Sequence, residues 1–206
     1  HVGVGGTTLY VDGSDRTEVV WNRLPAAMAV NGYPLNGGAT SGGVSSYVNR
    51  PKCQEGLSLP QAHDLSWDDG VLTYNYSLKG RGIPDVALNA DVFTGLQIYF
   101  QGAWGVAGGT GVSAPVMAAL VALINENLGE PVGWLTACLY EVQGAGDEAG
   151  LEGVEAPMTP ITGGHNGAYG APRGAPWNPC CGLGTPDGKA LLAAVKVWLA
   201  NKKKSS

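Results

Sequence analysis

Apolar residues recur along this chain in two periods, and each change of period predicts an element. Residues 2–11 are rich in the β-branched residues Val and Thr, the pattern of a strand, with Gly5-Gly6 marking a bulge or close backbone approach. Residues 17–21 read as a second short strand and residues 85–88 as a buried one. Residues 95–99 and 104–107 flank Gln101-Gly102, a hairpin signal. The helical period is clearest over residues 112–127, where Val116, Ala119, Leu120, Leu123 and Ile124 recur at helical spacing and Gly129 follows as a stop. Pro115 is placed in the first turn of that helix, where a missing N–H costs nothing. Residues 131–142 read as another helix. Residues 189–200 read as an amphipathic one, with Leu191, Leu192, Val195 and Leu199 on one face. Between them lie a glycine-rich loop at 31–46, a polar surface insertion at 54–79 and an exposed acidic loop at 144–155. Strands alternating with helices imply an α/β fold with a mainly parallel sheet flanked by helices.

Composition narrows this further. Glycine supplies 33 of the 206 residues, more than twice the usual ~7%. So many glycines exclude a helical bundle, each costing roughly 1 kcal/mol in a helix interior. Six Trp and eight Tyr can fill a core, which excludes disorder. The net charge of −5 argues against nucleic acid as a partner. Lys202, Lys203 and Lys204 read as a solvated basic tail, so that residues 1–200 form the domain and 201–206 the tail. The longest apolar run, residues 114–124, falls short of the roughly 20 needed for a membrane span. The chain opens on His1 with no basic leader, as a processed or truncated product would.

Cys53, Cys138, Cys180 and Cys181 fit no zinc spacing. They allow one or two disulfides, with one of the vicinal pair joined to Cys53 or Cys138, and the pairing stays open. Asn75-Tyr76-Ser77 is a glycosylation sequon, pointing to an extracellular or secretory, lysosomal-type compartment. His165 and Asn166 read as plain surface, and Trp21, Trp104, Trp134 and Trp177 as core.

The segment with most chemical content is Gly108-Gly109-Thr110-Gly111-Val112-Ser113-Ala114-Pro115, running into the strongest helix. A glycine-rich turn at a helix N-terminus presents free N–H groups to a nucleophile or an anion. It can equally be a tight turn capped by Thr110 or Ser113. This segment resembles the Gly-Thr-Ser-x-x-x-Pro signature that sedolisins, the serine-carboxyl peptidases, share with subtilisins. Three further blocks favour the sedolisins. Arg81-Gly82-Ile83-Pro84-Asp85-Val86-Ala87-Leu88-Asn89-Ala90-Asp91 resembles their Arg-x-x-Pro-Asp-Val-x-x-x-Ala-Asp. Residues 37–45, followed by Pro51 and Gln54, resemble their Gly-Gly-Val-Ser block. Trp177-Asn178-Pro179-Cys180-Cys181-Gly182-Leu183-Gly184-Thr185-Pro186 resembles their C-terminal Gly-Trp-Asp-Pro-x-Thr-Gly-Leu-Gly-x-Pro. Val4-Gly5-Gly6-Thr7-Thr8-Leu9 fits a family strand as well, and the order is collinear from residue 2 to about 192.

The resemblance implies a subtilisin-like α/β fold lacking its N-terminal portion. It also implies acidic endopeptidase or tripeptidyl-peptidase chemistry: a Ser nucleophile activated by a Glu, an Asp supporting the Glu, and a second Asp at the oxyanion site. A carboxylate base suits low pH, where histidine is protonated. The chain departs from that pattern. Gly111 occupies the nucleophile position and has no side chain to attack a carbonyl. Ser113 lies about 200° further round a helix and should face elsewhere. The family's Glu and both Asp residues precede the 4–9 strand, and Glu18, Asp12 and Asp15 do not match them. The family's single calcium would draw on positions Pro160, Ile161, Gly174, Pro176 and Asn178. Proline and asparagine stand there where the family has aspartates, so the set is neutral and the calcium is expected to be lost. Loss of the nucleophile together with both calcium carboxylates points to a naturally degenerate relative: a pseudopeptidase acting as a structural or binding subunit, completed by a protein partner or an N-terminal segment. The alternative is a processed or mutated fragment of an acidic serine-carboxyl endopeptidase completed by another chain. An unrelated glycine-rich lectin-like module has no support from the collinear blocks.

Overall fold

The structure is a computed structural model that describes residues 1–23, 29–30, 33–34, 38–60, 62–65, 74–77, 79–144 and 155–204. The first strand, β1 (Val4–Asp12), turns back antiparallel into β2 (Asp15–Val20), pairing Thr7 with Val20 and Asp12 with Asp15. Two-residue strands β3 (Ala29–Val30) and β4 (Tyr33–Pro34) pair with each other, and β5 (Gly43–Asn49) follows. Next come β6 (Ala62–Leu65), β7 (Tyr74–Ser77), β8 (Gly80–Ile83) and β9 (Val86–Asn89). Strands β5 and β8 pair antiparallel, as do β6 and β7, which set Asn75 opposite Asp64. Strand β9 pairs parallel to the first half of β1, giving the order β2-β1-β9; this is the parallel ladder among the described residues. A hairpin, β10 (Leu96–Phe100) and β11 (Ala103–Ala107), leads into helix α1 (Thr110–Leu128). After α2 (Leu135–Gly144), the short strands β12 (Met158–Thr159) and β13 (Thr185–Pro186) pair, and α3 (Gly188–Lys204) ends the fold.

Glycine permits the central approach. A Cβ on Gly6 would lie 2.6 Å from that of Ala90 and 3.2 Å from the Thr110 methyl, so only a bare backbone lets β1 pass this close to the start of α1. Burial then organises around α1. Met117 and Ile124 from α1, Cys138 and Leu139 from α2, and Leu191 and Val195 from α3 meet Val86 of β9 in one cluster. At about 25 cal/mol per Å², such residues supply most of the drive to fold.

Several expectations change. Helix α1 begins at Thr110, two residues early, so Pro115 sits inside the helix rather than in its first turn, and the Gly111 carbonyl loses its helical N–H partner. Because α1 is 19 residues long with a mean hydropathy of 1.4, it is long and apolar enough to cross a membrane by length and composition. The longest unbroken apolar run had understated it. Yet α1 here packs on β1, β9 and α3. Residues 201–204 belong to α3 rather than to a tail: Lys203 pairs with Glu130 at 2.6 Å, and Lys202 lies 4.0 Å over the Trp198 ring. The four cysteines are free thiols. Trp21 and Trp177 are core, but Trp104 is 72% exposed and Trp134 61%. Gln54, expected in a surface insertion, is fully buried. Most of the acidic loop at 144–155 and parts of the 31–46 and 54–79 segments lie outside the described residues.

Candidate functional site

The site is built where β1, β9 and the start of α1 converge. Gly109, at φ +90°, turns the chain from β11 into α1, and its N–H is accepted by the Ala90 carbonyl at the end of β9. No side chain caps this helix. Gly111 follows in the exposed first turn, and a Cβ built there meets nothing within 4 Å. The space a nucleophile's side chain would need is therefore open, and Gly111 puts no functional group into it. Ser113 points the other way: it is fully buried, and its hydroxyl reaches the Asn89 carbonyl at 3.0 Å and the Leu88 carbonyl at 3.3 Å. Those bonds tie α1 to β9 and leave Ser113 turned away from solvent.

Two buried aspartates brace the site from beneath. Asp91, at 0% exposure, accepts from Arg23 Nε at 2.7 Å, from the Thr8 hydroxyl at 2.8 Å and from the Phe93 N–H at 3.0 Å. The Arg23 guanidinium, whose pKa Asp91 raises, lies 5.2 Å from the Phe93 ring centre. Asp85, equally buried, accepts from the Gly3 N–H at 2.6 Å, from Arg81, and from the Tyr140 hydroxyl at 3.0 Å. Gln54 completes this network, donating to Tyr140 at 2.7 Å and exchanging two hydrogen bonds with Gly82. Burial first, and then Asp85, push the Tyr140 phenol well above its ordinary pKa, so it remains a donor. Both aspartates are spent on structural partners, as buried carboxylates must be.

The sequence places these aspartates in a motif block and Gln54 after another without showing their partners, and it gives no sign of Arg23. The signal for Asp85 was its place in a short apolar run, where an unpaired carboxylate is untenable. Glu18 also goes beyond an ordinary strand position. Its carboxylate accepts from the hydroxyls of Thr7 and Thr185, the latter at 2.9 Å, at the wall of a cavity of about 490 Å³ shared with Asn89, Val116 and Thr159. Asp12 and Asp15 pair across the exposed tip of the β1–β2 hairpin. His165 is exposed and held in a local turn, accepting from the Gly167 N–H at 3.2 Å.

The C-terminal loops gather Ile161 and Asn178 but not a charged ligand set. Pro160 is exposed and follows β12 directly, Ile161 is buried, and Gly174, at φ +77°, and Pro176 lie on the loop before Trp177. Among the described residues, no group of three or more His, Cys, Asp or Glu is arranged to hold a metal ion. Carbonyl and amide oxygens can ligate Ca²⁺, but a set without a carboxylate holds it weakly, because affinity follows the charge of the ligands.

No protein-family model matches the sequence. Among curated proteins, kumamolisin of Bacillus sp. (strain MN-32) is 37% identical over 196 residues, which is 93% of this chain and 30% of kumamolisin. Tripeptidyl-peptidase SED3 of Arthroderma otae is 31% identical over 180 residues, 76% of this chain and 27% of that protein. Among solved structures, Pseudomonas sedolisin, a serine-carboxyl proteinase complexed with two molecules of pseudo-iodotyrostatin, superposes with a TM-score of 0.68 at 26% identity. That match covers 95% of this chain and 46% of the sedolisin chain. The chain thus spans less than a third of these two curated relatives and under half of the solved structure.

Proposed function

The chain belongs to the sedolisin family of serine-carboxyl peptidases, as the C-terminal part of its subtilisin-like catalytic domain, and on that premise we propose that it is a catalytically inactive member working as a structural or binding subunit. One observation carries the reading: the position matching the family's nucleophile is Gly111, and the nearest serine along the helix, Ser113, is buried and bonded to β9 carbonyls. Acyl transfer needs a nucleophile within reach of a carbonyl and a base within reach of the nucleophile. Neither glycine nor a buried serine aimed at the backbone provides the first.

The scaffold is kept for association. Helix α1 carries an apolar sequence, yet only Ser113, Met117 and Ile124 along it are buried, and Leu123 is 58% exposed. An apolar face of this kind calls for cover. The occupant we propose is the remainder of the sedolisin fold, as an N-terminal segment or a second chain. The sequon at Asn75, on β7, supports an extracellular or secretory compartment and a glycoprotein.

The second reading is a processed or mutated fragment of an acidic endopeptidase completed by another chain. The open space around Gly111 favours it, since a serine would fit there. Intact mass and N-terminal sequencing of the protein from its natural source separate the two. The pseudopeptidase reading expects Gly111 in the native polypeptide, an upstream segment attached or co-purified, and a glycan mass at Asn75. A native serine at position 111 would establish the second reading.

A further inference from the structure

The loops that the family's calcium would join are joined here by one side chain. Asn178, 3% exposed, has all four of its polar atoms engaged. Its backbone N–H and carbonyl close a turn onto Gly182, at 3.0 and 2.8 Å. Its Oδ1 accepts from the N–H groups of Cys180 and Cys181, at 3.0 and 2.9 Å. Its Nδ2 donates to the Ile161 carbonyl at 3.2 Å. The two N–H donors fix which end of the amide is oxygen, so the amino end must face Ile161.

We propose that the Asn178 amide replaces the cation: its N–H satisfies the Ile161 carbonyl that a metal would otherwise hold, and the C-terminal loops are stable without calcium. A cation site leaves carbonyl lone pairs converging on one empty point with carboxylate charge beside them. Here the lone pair of Ile161 meets a proton, and the residue beside it is neutral. The inference rests on this loop geometry and not on the loss of catalysis. An aspartate at position 178 would keep the two bonds from Cys180 and Cys181 but set a carboxylate oxygen against the Ile161 oxygen with nothing between them. That leaves a buried acceptor pair unsatisfied.

Thermal unfolding of the purified protein with added calcium and with EGTA tests this, on the wild type and on Asn178→Asp. The wild type should melt at the same temperature in both. In EGTA, Asn178→Asp should melt lower by roughly 5 °C. A calcium-dependent rise in the wild-type Tm, or an Asn178→Asp protein as stable as wild type in EGTA, would overturn the proposal. If the variant does not fold, the wild-type comparison still decides it.

Discussion

Gly111 is one residue whose surroundings say what its substitution would do. Since nothing lies near its missing Cβ, Gly111→Ser introduces no clash. Serine also costs a helix less than glycine, so the variant should gain about 0.5 kcal/mol of stability. Urea unfolding measures this, and a loss of stability would mean that the first turn of α1 is not open. Ser113, two positions on, has the opposite character, and a helical wheel was enough to separate the two in the sequence. What the wheel could not show was where Ser113 points, because the Leu88 and Asn89 carbonyls it bonds are about 24 residues away in the chain. The same limit hid Gln54. A polar residue in a polar stretch reads as surface until the fold brings Gly82 and Tyr140 against it. The exposed Trp104 misled in the other direction. Aromatics fill cores on average, but this one stands beside Tyr99, ring centres 5.3 Å apart, on a two-stranded hairpin with no layer over it among the described residues.

At the scale of elements, the strong helices and the first strands were legible because each has a single period and a clear stop. Their ends were less so. Helix α1 starts early because the Gly109 turn, anchored to Ala90, sets its first residue, and no local rule reports that anchor. Helix α3 starts at Gly188 because Asp187 accepts from the N–H groups of Lys189 and Ala190, each at 2.9 Å. Those bonds, Ala190 first, hold the Asp187 carboxyl below its ordinary pKa. A carboxylate with a depressed folded pKa stabilises fully above its unfolded value, about 3.9, and that contribution fades as pH falls through the folded value. Asparagine caps a helix without titrating. Asp187→Asn should therefore lose less stability than wild type between neutral and acidic pH, read as Tm against pH. Parallel curves for the two proteins would show that the cap is not titrating.

For the whole molecule, the collinear blocks foretold the family, and similarity to kumamolisin and Pseudomonas sedolisin establishes it. The blocks are legible because they hold glycines at points where the chain packs too closely for a side chain. Gly6 passes Ala90, and a Cβ on Gly182, at φ +61°, would lie 2.3 Å from the Asp85 carbonyl oxygen. The proposed function rests on the same alignment, read at the position where it fails. The most direct test is the hydrolysis of denatured protein by the purified, intact protein at acidic pH. The account predicts no cleavage products and no acyl adduct on any serine of this chain by mass spectrometry. Turnover at acidic pH with a covalent intermediate on Ser113 would contradict it.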